Sequence, residues 1–285
     1  MEWISTYKQD IEFAIDAFFK ERYQREDVTE QEKKLREGVL YAVKSTFSGR
    51  IHPLLAMVVY EEVLGLTADT AIPVFIWMEF IAISTRLHGE LAGVKNPYKS
   101  PDISFSKKYG ESMTLLVGDA LMTMGLESLA KWSKIDLIKE ALKAIDDTGI
   151  IRWMTRDILL DHTTISEAEY IALNDEEMAR LITASFVVGA LFASAASDML
   201  IDQLKRFAVF LCRLYQVKKD MGIYEASLSF PPSEREKNVV DFLGMDKTKA
   251  LLENLQFELL KMTQNFQSSK FSDLIDYFGG EREIS

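Results

Sequence analysis

The chain has 285 residues, of which 48% are hydrophobic, a formal net charge of -11 and a single cysteine. This content can form a sizeable buried core, while the acidic excess argues against a nucleic-acid-binding surface, which requires clustered Lys and Arg. The one cysteine, Cys212, excludes an intramolecular disulfide and a cysteine-based zinc cluster, and we expect it to be a buried structural thiol.

The sequence carries no signal for export, membrane insertion or division into domains. Its start, MEWISTYKQD, lacks the basic segment and apolar core of a signal peptide, and apolar runs such as residues 181–196 are shorter than the roughly 20 residues of a membrane span. No Ser/Gly-rich linker or low-complexity tract interrupts the chain. We therefore expect a cytoplasmic protein with a single domain over residues 1–285 and without a transmembrane segment.

Helical patterns follow one another along the chain. Apolar residues at i, i+3 and i+4 predict an amphipathic helix over residues 3–23, and Thr29 with Glu32 predicts a capping box that begins a second helix, ending near Gly49. Residues 94–109 are predicted to form a loop. Further helices are predicted over residues 53–64, 73–91, 137–145, 177–197, 203–221 and in the tail at 246–280.

The stretch of residues 109–130, YGESMTLLVGDALMTMGLESLA, is long, apolar and poor in charge, and it contains the small residues Gly118 and Gly125. This composition predicts a helix that is buried on most sides. Such a helix needs other helices around it, which predicts an all-α protein with one central core.

A family resemblance rests on the same stretch. Gly110 and Glu111, followed by LVGDAL at residues 116–121, resemble the "GE…LAGDALL" segment of the trans-isoprenyl diphosphate synthases, or polyprenyl synthetases. The resemblance covers roughly residues 45–280. It implies the isoprenoid synthase fold, a large helical bundle around a central cavity, usually as a homodimer. It also implies condensation of an allylic diphosphate with isopentenyl diphosphate, using magnesium held by two Asp-rich motifs.

The turn at residues 49–53, GRIHP, resembles the family's "GGKRxRP", whose Lys and Arg bind isopentenyl diphosphate. Arg50 and Pro53 match, and His52 stands at the second arginine, so Arg50 and His52 are the candidates for diphosphate binding here. A guanidinium suits this task because its planar fork can donate two hydrogen bonds to a phosphate. Alternatively, Arg50 is a surface residue and Pro53 the first residue of a helix.

Residues 73–91 lie where the family has "LIHxxxLIHDDxxD". His88 matches the last histidine, but Gly89, Glu90 and Gly93 stand at the three aspartates. Glu90 is thus the candidate magnesium ligand here if the protein is active, although one glutamate cannot supply a ligand cluster. His88 has an alternative explanation as a helix-end histidine with a local hydrogen bond.

Residues 203–221 lie where the family's "GLAFQIxDDILD" carries the second cluster. Asp220 keeps the second aspartate and is the second candidate magnesium ligand, whereas Lys219 replaces the first. A lysine at a ligand position would repel magnesium, although Lys218 and Lys219 could bind a phosphate directly. Small or polar candidates for lining the substrate cavity are Ser84, Thr85 and Gln216.

Two further segments resemble family motifs with changes. Residues 149–158 resemble "GMVxGQxxDL" and retain Asp157. Asp157, Asp161 and His162 are close in sequence and could together bind a metal ion. The alternative is a partly exposed acidic helix face paired with arginines. Residues 177–197 resemble "KTGALIxxAxxLGALLAGA", but Glu177 and Met178 stand for the Lys and Thr. Lysines 95, 99, 107 and 108 lie where the family has "RRGxPT", and a solvated loop is favoured there.

The joint loss of metal and diphosphate ligands predicts a protein of this fold without prenyl transfer activity, without catalytic residues and without a cofactor. It would act in a homodimer, as a heterodimeric partner of an active prenyl synthase, or as an isoprenoid-binding protein. The alternative is a prenyltransferase that uses magnesium through atypical ligands. A third hypothesis is an unrelated all-α interaction module.

Overall fold

The computed structural model describes residues 2–25, 27–44, 49–67, 71–93, 104–132, 134–174, 179–193, 196–231 and 236–280. These residues form α-helices, and a π-helical segment, Val59–Val63, continues the third of them. The helices are α1 (Glu2–Arg22), α2 (Glu30–Lys44), α3 (Ile51–Val58), α4 (Ile72–Ala92), α5 (Phe105–Tyr109), α6 (Glu111–Ala130), α7 (Ile135–Ile145), α8 (Ile150–Leu159), α9 (Glu167–Leu173), α10 (Arg180–Phe192), α11 (Asp198–Ser227), α12 (Val239–Leu243), α13 (Met245–Thr263) and α14 (Ser269–Gly279).

Contacts along the chain divide it into two compact units. Unit 1 comprises Met1–Lys143 and Ala184–Ala196, and unit 2 comprises Ala144–Thr183 and Ser197–Ile284. The prediction of a single domain over residues 1–285 stays a prediction.

The core of unit 1 is built on α4, which packs along α6. The α4 side chains are almost all apolar, and Trp77, Phe75 and Phe80 are fully buried. The two helices approach closely because α6 presents glycines: a Cβ atom at Gly125 would lie 3.0 Å from the Ile81 side chain. The small residues of α6 therefore determine how near α4 can lie.

The prediction that this central helix is buried on most sides was wrong. Eight of its twenty residues are buried, where α6 packs against α4 and α2, whereas Leu115 and Leu116 are 49% and 54% exposed. Among the described residues α6 is also the one helix long and apolar enough to cross a membrane by length and composition. Core helices of globular proteins meet the same criterion, and the packing of α6 against α4 is of that kind.

A second close approach in unit 1 joins α3 to the part of α10 that begins at Ala184. A Cβ atom at Gly189 would lie 2.3 Å from the backbone oxygen of Ala56, so only glycine fits at this crossing without a shift of one helix. The π-helical segment that follows α3 is tied to α1, because the Tyr7 hydroxyl donates a hydrogen bond to Glu61.

Unit 2 is organised around α11, which packs against α12, α13 and α14. Phe207 of α11 meets Phe266 and Phe271 edge-on, and these two rings stack on each other at 4.2 Å between centroids. Cys212 lies buried in α11 as a free thiol, and burial raises its pKa to about 12. The prediction of a buried structural thiol is confirmed.

The long helices lie where the sequence patterns predict them, although α11 spans Asp198–Ser227 rather than 203–221 and α10 spans Arg180–Phe192 rather than 177–197. The capping box of Thr29 and Glu32 is present, with each residue accepting a hydrogen bond from the other's backbone N–H. Three short helices were not predicted: α5, at the end of the predicted loop, α9, whose capping box joins Ser166 to Glu169, and α12, which begins after Asn238.

Candidate functional site

Arg50, a candidate for diphosphate binding, is buried in unit 1 and is only 6% exposed. Its Nε donates to Glu12 Oε1 at 2.5 Å, one terminal nitrogen donates to Glu79 Oε1 at 2.9 Å, and the other donates to the Val43 carbonyl at 2.7 Å. The alternative that Arg50 lies on the surface was wrong. Diphosphate binding by Arg50 stays a prediction, and it would require the guanidinium to leave these acceptors.

The backbone of Arg50 adopts a left-handed conformation with φ of 59°, directly after Gly49 with φ of 57°. This conformation is uncommon for a residue with a side chain. Burial alone would lower the pKa of Arg50, but Glu79 and Glu12 outweigh it and raise that pKa. The Arg50 side chain is therefore a buried cation that links α1, α2 and α4.

Glu79 was not recognised from the sequence, although it is the one carboxylate in the apolar first half of α4. Its side chain is fully buried and pairs with Arg50. A second arginine, Arg86, follows two helical turns later, and burial lowers its pKa to about 10 against the opposing effects of Glu90 and Glu79. Acidic and basic side chains thus alternate along α4.

His52, the second diphosphate candidate, lies in the first turn of α3. Its Nδ1 is 2.9 Å from the Oγ atom of Ser185, which is fully buried in α10. Diphosphate binding by His52 stays a prediction.

Glu90, a candidate magnesium ligand, caps the short helix α5. Its Oε1 accepts hydrogen bonds from the Ser104 hydroxyl and, at 2.8 Å, from the Ser106 backbone N–H. Burial acts to raise the pKa of Glu90, but these hydrogen bonds outweigh it and hold the pKa below its ordinary value. The carboxylate is therefore already solvated by protein donors.

Three other residues of α4 lie in the segment that resembles the first Asp-rich motif: Ser84, Thr85 and His88. Ser84 is fully buried, and its hydroxyl has no hydrogen-bond partner among the residues that the structure describes. The Thr85 hydroxyl donates to the Ile81 carbonyl at 2.9 Å. His88 lies against Gly118, with its Nε2 3.2 Å from Asp119 Oδ1. Whether Ser84 and Thr85 line a substrate cavity stays a prediction.

Asp220, the other candidate magnesium ligand, is 2% exposed in unit 2. Its carboxylate accepts hydrogen bonds from the Tyr170 hydroxyl, from Gln216 Nε2 at 2.8 Å and from the Val239 backbone N–H at 3.2 Å. Burial raises the pKa of Asp220, with these donors and Lys219 acting in the opposite direction. Gln216, predicted to line a cavity, thus orients a carboxylate.

Lys219 lies beside Asp220 on α11, and the adjacent Lys218 is half-buried. Burial lowers the pKa of Lys219 to about 8, although the negative charges of Asp220, Glu236 and Asp157 act to raise it. These negative charges would oppose the approach of a phosphate. Phosphate binding by Lys218 and Lys219 stays a prediction.

Asp157 forms a buried pair with His162, in contrast to the partly exposed acidic face proposed as the alternative. The Asp157 side chain is 4% exposed, and its Oδ1 lies 3.2 Å from His162 Nε2. Asp161 instead accepts hydrogen bonds from the backbone and hydroxyl of Thr163. Among the described residues no group of three or more His, Cys, Asp or Glu side chains is placed to hold a metal ion, so the metal hypothesis for this trio was wrong.

Several altered motif positions lie outside the described residues: Phe47 and Ser48, which stand at the paired glycines of "GGKRxRP", and Lys95, Lys99, Glu177 and Met178. Of the loop lysines within the described part, Lys108 places its ammonium 3.5 Å from the centre of the Tyr41 ring.

The residues present do not fit a magnesium site of the kind that the resemblance implies. Magnesium requires oxygen ligands with near-octahedral geometry, and a carboxylate must have free lone pairs to serve. Glu90 caps α5, Asp220 accepts three hydrogen bonds, and a lysine stands at the position before Asp220. No reaction step through a metal follows from these side chains.

The chain is similar in sequence to prenyl diphosphate synthases, although no family model matches it. It is 25% identical to the heterodimeric geranylgeranyl pyrophosphate synthase large subunit 1 of Arabidopsis thaliana, over 85% of this chain and 70% of that protein. It is 23% identical to the farnesyl diphosphate synthase of Micrococcus luteus, over 84% of each chain.

Solved structures share the fold over nearly the whole chain. A putative farnesyl-diphosphate synthase from Marinomonas sp. MED121 superimposes with a TM-score of 0.78 at 23% identity, covering 98% of both chains. An FPP/GFPP synthase from Zymomonas mobilis superimposes with a TM-score of 0.79 at 18% identity, covering 99% of both. The protein is an all-α protein with the isoprenoid synthase fold. Its relatives in sequence and its neighbours in structure are isoprenyl diphosphate synthases.

Proposed function

We propose that this chain is a member of the trans-isoprenyl diphosphate synthase family without prenyl transfer activity of its own. It acts as the partner or regulatory subunit of an active prenyl synthase. The observation that carries the proposal is that the candidate diphosphate and magnesium ligands are hydrogen-bonded to other groups of the protein. Arg50 donates to three protein acceptors, and Glu90 and Asp220 accept only protein donors in the contacts described above. Groups held in this way provide little stabilisation for a departing diphosphate.

The partner role has support from a relative and from the surface of α6. One of the similar sequences is named as the large subunit of a heterodimeric synthase, so subunit association occurs among the relatives. In this chain, Leu115 and Leu116 of α6 are adjacent and about half exposed. Such adjacent exposed leucines favour burial against another protein. A homodimer or a heterodimer would bury these two leucines. A cytoplasmic location is part of the same proposal.

The test is a prenyl-transfer assay of the purified protein with magnesium, isopentenyl diphosphate and dimethylallyl, geranyl or farnesyl diphosphate. An active synthase of the same fold, assayed in parallel, is the positive control. We expect no product above background. Tagged protein recovered from the source cell should bring down a synthase, and purified protein should change the rate or the product length of that synthase.

The competing candidate is an active prenyltransferase that uses magnesium through Glu90 and Asp220. It is favoured by the names of the relatives, which are synthases. Turnover that is lost in both Glu90→Gln and Asp220→Asn would establish it and would end the proposal of an inactive subunit. Absence of turnover together with saturable calorimetric binding of a prenyl alcohol would instead support an isoprenoid-binding role.

A further inference from the structure

Unit 1 exposes large apolar side chains together with lysines along α7. Ile135 and Leu142 of this helix are 64% and 44% exposed, and Lys139 and Lys143 are exposed as well. Their spacing places the four side chains on one side of the helix. Trp132, which is 41% exposed, stands three residues before the helix begins. Together these five residues form the α7 surface, and all of them belong to unit 1.

The α7 surface is held in place by buried contacts. On the opposite side of the helix, Leu137 and Ala141 are buried in the core. The Trp132 ring meets Phe192 edge-on at 5.5 Å between centroids, and the Lys134 ammonium donates a hydrogen bond to the Phe192 carbonyl at the end of α10. Trp132 is therefore an exposed aromatic side chain with a defined orientation, which reduces the entropy cost of burying it in a binding partner.

The acidic residues of α7 lie to one side of this surface. Asp136 and Glu140 are four positions apart and share the adjacent side of the helix. Lys139 Nζ is 3.5 Å from Asp136 Oδ1, with both side chains more than 60% exposed. An exposed pair of this kind contributes little to stability, so Lys139 can exchange Asp136 for another anion.

A third exposed lysine lies beside Trp132. Lys131 Nζ is 4.0 Å from Glu127, whose carboxylate pairs more closely with Arg22, at 2.7 Å. The local excess of ammonium groups contrasts with the net charge of -11 for the whole chain. Because so acidic a protein is repelled by other anionic surfaces, contact with one requires a locally basic region such as this.

We propose that the α7 surface binds reversibly to the surface of an anionic lipid bilayer. Trp132, Ile135 and Leu142 would enter the boundary between headgroups and acyl chains, and the lysines would contact the negatively charged headgroups. The helix has 11 residues and would lie in the interface, since it is too short to span a bilayer. A second copy of this chain is a poorer occupant, because a symmetric contact would bring the lysines of both copies together.

The experiment is co-sedimentation of the full chain with vesicles of phosphatidylcholine alone or with about one third phosphatidylserine. The variant Lys139→Gln with Lys143→Gln is compared with Lys33→Gln with Lys34→Gln, which removes the same charge from exposed positions of α2 in the same unit. We expect the α7 variant to bind phosphatidylserine vesicles roughly 20–30-fold more weakly than the wild type, since each lysine contributes about fivefold. The α2 variant should bind like the wild type, and added salt should weaken binding.

Insertion of the apolar side chains is measured by quenching of tryptophan fluorescence with brominated lipid. Trp77 and Trp153 are buried, so a Trp3→Phe background leaves Trp132 as the exposed reporter. We expect quenching in phosphatidylserine vesicles and less of it after the further change Ile135→Ser. All the altered side chains except Trp3 are exposed, and thermal unfolding close to that of the wild type should verify that each variant is folded.

Several results would overturn the proposal. Absence of binding to phosphatidylserine vesicles at low salt would leave an acidic protein as the candidate occupant. Equal loss in both lysine variants would show a diffuse attraction, and binding without quenching would show that nothing inserts. Self-association that disappears only in the α7 variant, measured by sedimentation, would make a second copy the occupant. None of these results bears on the proposed function, which is tested by turnover and by capture of a synthase.

Discussion

At the scale of single residues, the chain uses charge to hold its own helices. Arg50 and Glu79 form a pair inside unit 1, in which each compensates the other away from water. Removal of one partner from such a pair leaves an uncompensated buried charge, which costs far more than the pair contributes when intact.

We predict that Arg50→Met lowers the free energy of unfolding by about 3–5 kcal/mol. Methionine keeps most of the volume and is equally disfavoured at the left-handed φ of this position, so the change mainly reports the lost charge. Denaturant unfolding measures the effect. The control is the double variant Arg50→Met with Glu79→Leu, which should recover a large part of the loss. A single variant as stable as the wild type would contradict the pairing.

A second prediction concerns pH. The pKa of Lys219 is about 8 in the folded protein, below its ordinary value of 10.5. Between these two values the unfolded chain binds more protons than the folded one, so the contribution of Lys219 to stability increases as the pH rises. The unfolding free energy of the wild type minus that of Lys219→Met should therefore become more positive from pH 8 to 10.5. A difference that is flat or falls across this interval would show that the ammonium is not desolvated.

Residue roles were only partly accessible from the sequence. Glu79 had a signal, because a single carboxylate in an apolar helix needs a buried partner. The partner itself, Arg50, is 29 positions away, and no local pattern encodes such a pairing. The donors of Asp220 likewise come from positions up to 50 residues distant. Sequence reasoning therefore identified several of the polar residues that matter but not what each one contacts.

At the scale of helices, glycines determine the close approaches. We predict that Gly189→Ala lowers the free energy of unfolding by about 1–3 kcal/mol, because its Cβ would meet the Ala56 backbone of α3. The control is Gly222→Ala in α11, where an added Cβ has no neighbour within 4 Å. That variant should be more stable than the wild type by about 0.5–1 kcal/mol. If both alanines stabilise, the α3–α10 crossing is looser than described.

Long helices were predicted well because many turns repeat the same apolar period. The short helices α5 and α9 contain five and seven residues, too few for a period to emerge, and their ends are set by caps and by tertiary contacts. The error on α6 has a different cause. An apolar composition indicates that the faces of a helix are buried. It does not distinguish burial against the same chain from burial against another molecule.

At the scale of the whole molecule, the α6 surface predicts association. The double change Leu115→Lys with Leu116→Lys should abolish self-association or capture of a synthase while leaving thermal unfolding of the isolated chain nearly unchanged, because both side chains are half exposed. Sedimentation and co-purification measure this. Leu159→Lys, at a more exposed leucine of α8, is the control and should leave association intact. Unaltered association in the double variant would place the interface elsewhere.

The cap that Glu90 places on α5 has a consequence for attempts to give this chain a catalytic metal site. Substituting aspartates at positions 89 and 93 would add oxygen ligands, yet any ion that recruited Glu90 would also take the acceptor from Ser104 and Ser106. The metal ion and the start of α5 would then compete for the Glu90 carboxylate. A successful redesign has to provide α5 with a new acceptor before it provides the metal with new ligands.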